Sequence, residues 1–155
     1  MGRRRLAREI ALQALYVADV SNTPAEEAFA IVVRLDGDKL DEQTREFARS
    51  LALGTLARRD ELDALITERA ENWAVRRMAA VDRNVLRLAA YELADRGETP
   101  VGVVIDEAIE IVRKYSAEEA TRFVNGVLDA LKGLREDAKP KKKRTLKDIV
   151  PKVEP

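Results

Sequence analysis

Cysteine and histidine are both absent from this 155-residue chain. Their absence excludes disulfides, thiolate nucleophiles, the usual zinc ligands and the side chain best suited to proton transfer near neutral pH. The three serines lie outside the sequence patterns that mark a serine nucleophile or a phosphate-binding loop: Ser21, Ser50 and Ser116. We therefore expect no enzyme activity, no catalytic residue, no cofactor and no metal.

Long apolar runs are also missing. No stretch approaches the roughly 20 residues that span a bilayer, and the arginines at the N-terminus interrupt any core of a signal peptide. We expect a cytoplasmic protein without a membrane segment. Only seven glycines and five prolines interrupt the chain, and strong helix formers dominate it. With 46% hydrophobic residues, the chain can bury the core of one domain.

Apolar residues recur at helical spacing along the chain, whereas the alternation typical of strands is absent. The spacing predicts an all-α protein, a compact seven-helix bundle over residues 1–135 followed by a basic, flexible tail over 136–155. The first helix covers about residues 3–20 and the third about 39–58. We expect the other helices to begin at Thr23, Asp60, Asp82, Thr99 and Ser116, and the core to include Phe29, Phe47, Trp73 and Tyr91.

Charge is unevenly distributed along this formally neutral chain. Residues 1–13 carry a net +3 and residues 139–155 a net +5, so residues 14–138 must carry a net −8. Basic ends on an acidic body predict one surface for a polyanion and another for a basic partner. The lysine-rich segment from Lys139 to Arg144 would add attraction to nucleic acid that does not depend on sequence.

Four arginines lie at the start of the first predicted helix: Arg3, Arg4, Arg5 and Arg8. Cations are unfavourable there, by roughly 0.3–1 kcal/mol each, because the N-terminal end of a helix carries partial positive charge. Their presence therefore indicates a role other than helix stability, and the guanidinium group suits bidentate binding of phosphate. A solvated basic terminus explains the same residues equally well.

Aromatic side chains next to basic ones form a second group of candidates. Single-stranded RNA stacks its bases on such rings while nearby cations bind its phosphates. The candidate rings are Tyr16, Tyr115 and Phe123, of which Phe123 lies between Arg122 and Asn125, a side chain able to read a base edge. Aromatic residues at helical spacing more often belong to the core.

Four blocks of the sequence resemble the NusB family, in the order in which that family has them. The resemblance extends over residues 3–133 and is carried by Arg3–Tyr16, by Val81–Leu93, by Pro100 with Ile105–Glu110, and by Arg122–Asp129. It implies a fold of two helical sub-bundles and a role in transcription antitermination on ribosomal RNA operons. It also implies binding of boxA RNA together with the ribosomal protein NusE, within a complex with RNA polymerase.

The resemblance also assigns residues to the two surfaces. It implies that the arginine-rich start, Gln13, Tyr16, Tyr115 and Phe123 lie on the RNA side, and that Asp82 and Glu119 lie at or near the junction with the partner. Members of the family are monomers or dimers, so a homodimer stays open.

Two other functions occur for helical domains of this size. Helical domains of this type also precede the catalytic domain of certain ribosomal RNA cytosine methyltransferases, but the absence of cysteine argues against that enzyme. A helical adaptor that binds an acidic protein, without specific recognition of RNA, is the alternative that the sequence leaves open.

Overall fold

The structure, a computed structural model, describes residues 2–36 and 40–138. Over these ranges the chain forms seven α-helices and one short 3-10 turn, Val75–Arg77, with no strand. The helices are α1 (Arg3–Val20), α2 (Ala25–Asp36), α3 (Glu42–Ala57), α4 (Arg59–Arg69), α5 (Ala80–Asp95), α6 (Val101–Tyr115) and α7 (Glu118–Ala138).

The seven helices form two sub-bundles. Helices α1, α2 and α3 pack on one another, and α5, α6 and α7 form a second group, with α4 against α5 and α7. Helices α1 and α3 also pack on α5, so a continuous core joins both groups. The all-α fold of two sub-bundles is therefore confirmed.

The core follows the helical periodicity of the sequence. Fully buried apolar side chains project inward from both sub-bundles, and removing each from water stabilises the fold by about 1.5–3 kcal/mol; they include Ile10, Leu15, Leu51, Leu86, Leu93 and Leu128. Phe29 and Tyr91 are buried as predicted. Phe47 is only partly buried, at the edge of the core, and Trp73 is 48% exposed, so the predicted burial of Trp73 is wrong.

Trp73 is exposed because α4 ends earlier than its apolar spacing predicts. The helix stops at Arg69, and Glu71 and Asn72 then adopt left-handed backbone conformations, with φ of 53° and 67°. Residues with a Cβ rarely adopt such angles, and two in succession reverse the chain. The reversal takes Trp73 away from the apolar stripe of α4.

The predicted start is accurate for α1 and lies within three residues of the observed start for the other helices. Helix α5 begins at Ala80, ahead of Asp82, and α7 begins at Glu118, after Ser116. These two expected caps bond to each other instead, since the Ser116 hydroxyl donates to the Asp82 carboxylate at 2.8 Å. Only Asp41 is seen to cap a helix with its side chain in the described part of the chain, by accepting a hydrogen bond from the Thr44 N–H at 2.7 Å.

The C-terminal end of α5 is closed by a side chain from α7. The guanidinium group of Arg135 donates to four backbone carbonyl groups at distances of 2.6–3.1 Å, those of Glu92, Leu93, Arg96 and Thr99. The last carbonyls of a helix have no partner within the helix. Arg135 supplies that partner and also joins the turn that leads to α6.

The last helix continues to Ala138, beyond the end expected at Gly133. The lysine-rich segment Lys139–Arg144 and the rest of the tail lie outside the described residues. Within the described ranges, no helix is both long enough and apolar enough to cross a bilayer.

Candidate nucleic-acid interface

Two of the four arginines at the start of α1 are committed to carboxylates on other helices. Arg8 is 3% exposed and forms a bidentate ion pair with the equally buried Glu92 on α5. The proposed contact between Arg8 and RNA is therefore wrong for this structure, because its guanidinium group faces the core. Arg5 is partly exposed and donates to both oxygens of Glu107, at 2.7 and 2.9 Å. That pair raises the pKa of Arg5 and lowers the pKa of Glu107.

The other two arginines reach the surface. The side chain of Arg3 is 80% exposed and lies 2.8 Å from the Asp41 carboxylate. Arg4 is exposed and lies over the ring of Phe47, with its Cζ atom 4.4 Å from the ring centroid. Both line an open groove of about 1080 Å³ between α1 and α3, together with Glu42, Gln43, Thr44, Glu46, Phe47, Ser50 and Arg96.

A second part of the candidate interface lies where α1 faces α6. Glu9 accepts hydrogen bonds from Lys114 at 3.0 and 3.2 Å, and this contact raises the pKa of Lys114. Gln13 and Tyr16 follow Glu9 by four and seven residues, so helical spacing places them on a neighbouring part of the same face. Gln13 is partly buried and Tyr16 is 41% exposed.

Tyr115 lies at the end of α6, on the same side of the molecule. The ring is 40% exposed, and the Lys114 ammonium lies 5.3 Å from its centroid. The ion pair between Lys114 and Glu9 holds this end of α6 against α1. An exposed aromatic ring with a cation beside it can bind a base and a phosphate together.

The candidates on α7 do not share one face. Phe123 is 38% exposed, and Arg122 and Asn125 line a shallow depression of about 430 Å³ with Arg113, Ser116 and Glu118. Two residues along a helix amount to about 200° of rotation. Asn125 therefore does not extend the surface of Phe123, although it lines the same depression as Arg122.

The two acidic candidates differ in exposure. Glu119 lies exposed in the first turn of α7. Asp82 is 6% exposed and accepts the hydrogen bond from Ser116. The place of Asp82 at or near the junction with a partner protein stays a prediction; in this structure its carboxylate is bonded to Ser116 and positions the turn that connects α6 and α7.

A buried polar network fixes the other end of α1. The Asp19 carboxylate accepts hydrogen bonds from Arg83, Asn84 and Arg87, at distances of 2.6–3.0 Å. Arg87 also donates to Asp63 of α4, at 2.7 and 2.8 Å. Burial alone raises the pKa of Asp19, but the hydrogen bonds and the charges of the two arginines outweigh it and lower that pKa.

Sequence reasoning missed this network and three exposed or partly exposed residues. Phe47 and Arg96 line the groove beside Arg4, and Trp73 carries the Arg77 guanidinium 5.9 Å from its ring. Apolar spacing could not distinguish these rings from core residues, since Phe47 lies at the edge of the core and Trp73 continues the spacing of α4 beyond the end of that helix. Among the described residues, no group of three or more acidic side chains is arranged to hold a metal ion.

Comparison with known proteins identifies the family. A sequence profile of the NusB family matches residues 5–132. The transcription antitermination protein NusB of Elusimicrobium minutum is 46% identical over 138 residues, which cover 88% of this chain and 98% of that protein. The protein of the same name from Solibacter usitatus is 48% identical over 133 residues, covering 85% and 90%.

Solved structures show the same relationship. The structure of T. maritima NusB is 35% identical, with a TM-score of 0.77, and the match covers 84% of this chain and 90% of that one. A crystal structure of antitermination factors NusB and NusE in complex with dsRNA contains a chain that is 30% identical, with a TM-score of 0.78 and coverage of 84% and 96%. By sequence and by fold, the chain belongs to the NusB family.

Proposed function

We propose that this protein is a transcription antitermination factor that binds RNA together with the ribosomal protein NusE. The observation that supports this most directly is the exposed start of α1, with Arg3 and Arg4, in a fold that matches NusB solved with NusE and dsRNA at a TM-score of 0.78. The curated relatives that match over most of the chain are antitermination proteins. The protein acts by assembly rather than by catalysis.

The RNA surface combines cations with exposed rings. Arg3 and Arg4 supply attraction to phosphate, whereas Tyr16, Tyr115 and Phe123 supply flat surfaces for unstacked bases. Rings of this kind favour a single-stranded segment such as boxA, because the bases of a duplex are already stacked on one another. Arg122 and Asn125 extend the surface along a different side of α7.

The partner surface uses charge of the opposite sign. The body of the chain is acidic, with a net −8 over residues 14–138, and ribosomal proteins are basic because they bind RNA. Glu119 is exposed at the start of α7, close in sequence to Arg122 and Phe123. A partner docked there would neutralise this carboxylate and add its own contacts to the same RNA. The two weak RNA-binding surfaces would then bind the RNA more tightly together than either does alone. The complete assembly acts on RNA polymerase in the cytoplasm.

The test measures the affinity of the protein for three labelled RNAs at physiological salt, with and without NusE. The RNAs are a boxA-containing single strand, a scrambled single strand of equal composition and a duplex. We expect boxA to bind most tightly, and NusE to increase that preference. Equal binding to all three RNAs, with NusE present, would contradict specific recognition of RNA and favour a protein-binding adaptor.

Two variants connect this measurement to the rings. Phe123→Ala and Tyr16→Ala should each weaken boxA binding about 10-fold, because base stacking contributes roughly 1–3 kcal/mol per base. Trp73→Ala is the matched control, since it removes an exposed ring in the connection between α4 and α5. A loss of the same size in the control would indicate a general effect of removing surface aromatic residues.

A further inference from the structure

The groove between α1 and α3 contains an arrangement of cations around one ring. Phe47 of α3 has the guanidinium carbon of Arg4 at 4.4 Å from its centroid, that of Arg96 at 5.6 Å and that of Arg8 at 5.7 Å. These arginines come from α1 and from the end of α5. Phe47 therefore lies where three helices meet, at the floor of an open groove.

Arg4 differs from its neighbours in its partners. Arg3, Arg5 and Arg8 each form an ion pair with a carboxylate. Arg4 forms no such ion pair among the residues that the structure describes: it lies over the Phe47 ring, and its charge only helps Arg96 to lower the pKa of the nearby Glu98. It is the arginine of this cluster whose hydrogen-bonding capacity is left for a ligand.

Stacking determines which ligand fits. The Cζ atom of Arg4 lies over the ring at 4.4 Å from its centroid, and a guanidinium group stacked on a ring keeps its in-plane N–H donors available. Those donors match two oxygens of a phosphate group. The ring of Phe47 is covered by Arg4 and cannot take a base on that face, so a phosphate is favoured over a base.

The remaining charges in the groove limit its general attraction for anions. Arg96 donates to Glu98 at 2.7 Å and to the Ser50 hydroxyl at 3.1 Å, so its charge is partly neutralised. Glu42 and Glu46 also line the groove. Because acidic side chains offset the cations of the groove, its net charge alone does not attract polyanions. Its affinity for a phosphate therefore depends on the position of the Arg4 guanidinium group.

We propose that this groove binds one phosphodiester group of the RNA through Arg4, with Phe47 as the positioning residue and Arg96 as a second cation. The inference rests on the proposed RNA-binding function and extends the RNA path from α1 onto α3 and the end of α5. Phe47 holds the Arg4 guanidinium in one orientation, which lowers the loss of side-chain freedom when the phosphate binds.

The first experiment is a double-mutant cycle read out as affinity for the boxA single strand. Arg4→Ala should weaken binding about 10-fold, as expected for loss of a charge-assisted hydrogen bond. It should also reduce the slope of log affinity against log salt by about 0.7, the share of one phosphate contact in a single strand. Phe47→Leu as a single substitution should weaken binding about threefold. Added to Arg4→Ala, it should have no further effect on binding.

The controls separate positioning from folding. Phe47→Tyr keeps the ring and should restore wild-type affinity. Arg76→Ala removes an exposed arginine at the opposite end of α5 from Arg96, and should leave affinity within about twofold because the distance exceeds a Debye length. Additive effects of Arg4→Ala and Phe47→Leu, or failure of Phe47→Tyr to rescue, would show that Phe47 does not act through Arg4.

The second experiment identifies the phosphate. RNAs with a single methylphosphonate, which removes one backbone charge, are compared for the wild type and for Arg4→Ala. At one position, the methylphosphonate should weaken RNA binding by the wild type about as much as Arg4→Ala weakens binding of the unmodified RNA. The same methylphosphonate should leave RNA binding by the Arg4→Ala variant unchanged. If no position behaves in this way while Phe123→Ala still weakens binding, the groove inference fails and the proposed function stands. If the wild type binds no RNA even with NusE, both fail.

Discussion

The guanidinium group of Arg8 donates three hydrogen bonds, of 2.9–3.2 Å, to the carboxylate of Glu92 across the boundary between the two sub-bundles. The two residues are 84 positions apart in the chain and are 3% and 2% exposed. An arginine that the sequence associates with RNA thus joins α1 to α5. Removing one member of such a pair leaves the other charge buried without a partner.

Arg8→Met should lower the free energy of unfolding by about 3–5 kcal/mol for that reason. Replacing both members, as in Arg8→Met with Glu92→Leu, should recover most of the loss, because no charge remains buried. Urea unfolding followed by circular dichroism measures both. The more exposed pair is the control: Arg5→Met should cost much less than Arg8→Met, because solvent screens the charge that remains on Glu107. A double variant no more stable than Arg8→Met would contradict the explanation.

The network around Asp19 predicts a dependence of stability on pH. The folded protein holds the pKa of Asp19 below its ordinary value, although burial alone acts in the opposite direction. The stabilisation is therefore complete at neutral pH, and it is lost as the pH falls from the unfolded value of about 4 toward the lower folded value. Asp19→Asn should lower stability by roughly 1–3 kcal/mol at pH 7, and by less at pH 3.

Unfolding of the wild type and of Asp19→Asn is measured at several pH values between 3 and 7. The difference between the two proteins should shrink as the pH falls. A difference that stays constant over this range would mean that the carboxylate charge of Asp19 contributes nothing, and that the loss comes from the hydrogen-bond acceptor that Asp19→Asn removes.

Gly54 is required by the close approach of α3 and α5. A Cβ atom at this position would overlap the ring and hydroxyl of Tyr91, which is buried. Gly54→Ala should therefore lower stability by about 1–3 kcal/mol, although alanine is the better helix former. Gly133→Ala is the matched control, because its Cβ would meet nothing within 4 Å, and it should raise stability by roughly 0.5–1 kcal/mol. If Gly54→Ala and Gly133→Ala changed stability in the same direction, the packing argument would be refuted.

Glu119 is predicted to weaken RNA binding by the protein alone. Its exposed carboxylate lies near Arg122 and Phe123 and repels phosphate. Glu119→Asn should tighten binding to the boxA strand, with a smaller gain when NusE is present. Glu27→Asn is the control, since Glu27 is also exposed in the first turn of a helix, α2. Unchanged affinity of Glu119→Asn would exclude this role.

Periodicity predicted most of the fold because each helix buries one apolar stripe. It gave the all-α class, the limits of α1 and the number of helices in the described part of the chain. It extended α4 too far, since the left-handed backbone at Glu71 and Asn72 leaves no trace in apolar spacing. The predicted caps at Asp82 and Ser116 failed because a tertiary hydrogen bond between them replaces the local ones.

The candidate interface was predicted less completely. Sequence could point to the arginines of α1 as a group, but it could not separate Arg8 from Arg4. That difference depends on Glu92 and Phe47, which come from other helices. Partners distant in the sequence decide whether a charged side chain is buried or available.

The contact between Arg135 and the end of α5 has a consequence for synthesis of the chain. The carbonyls of Glu92, Leu93 and Arg96 receive these hydrogen bonds from a residue about 40 positions later. Helices α1–α3 can pack as soon as they emerge from the ribosome, since domains fold progressively from the N-terminus. The α5–α6 corner must wait for nearly all of α7, so a nascent chain that stalls before Arg135 carries an unfinished second sub-bundle.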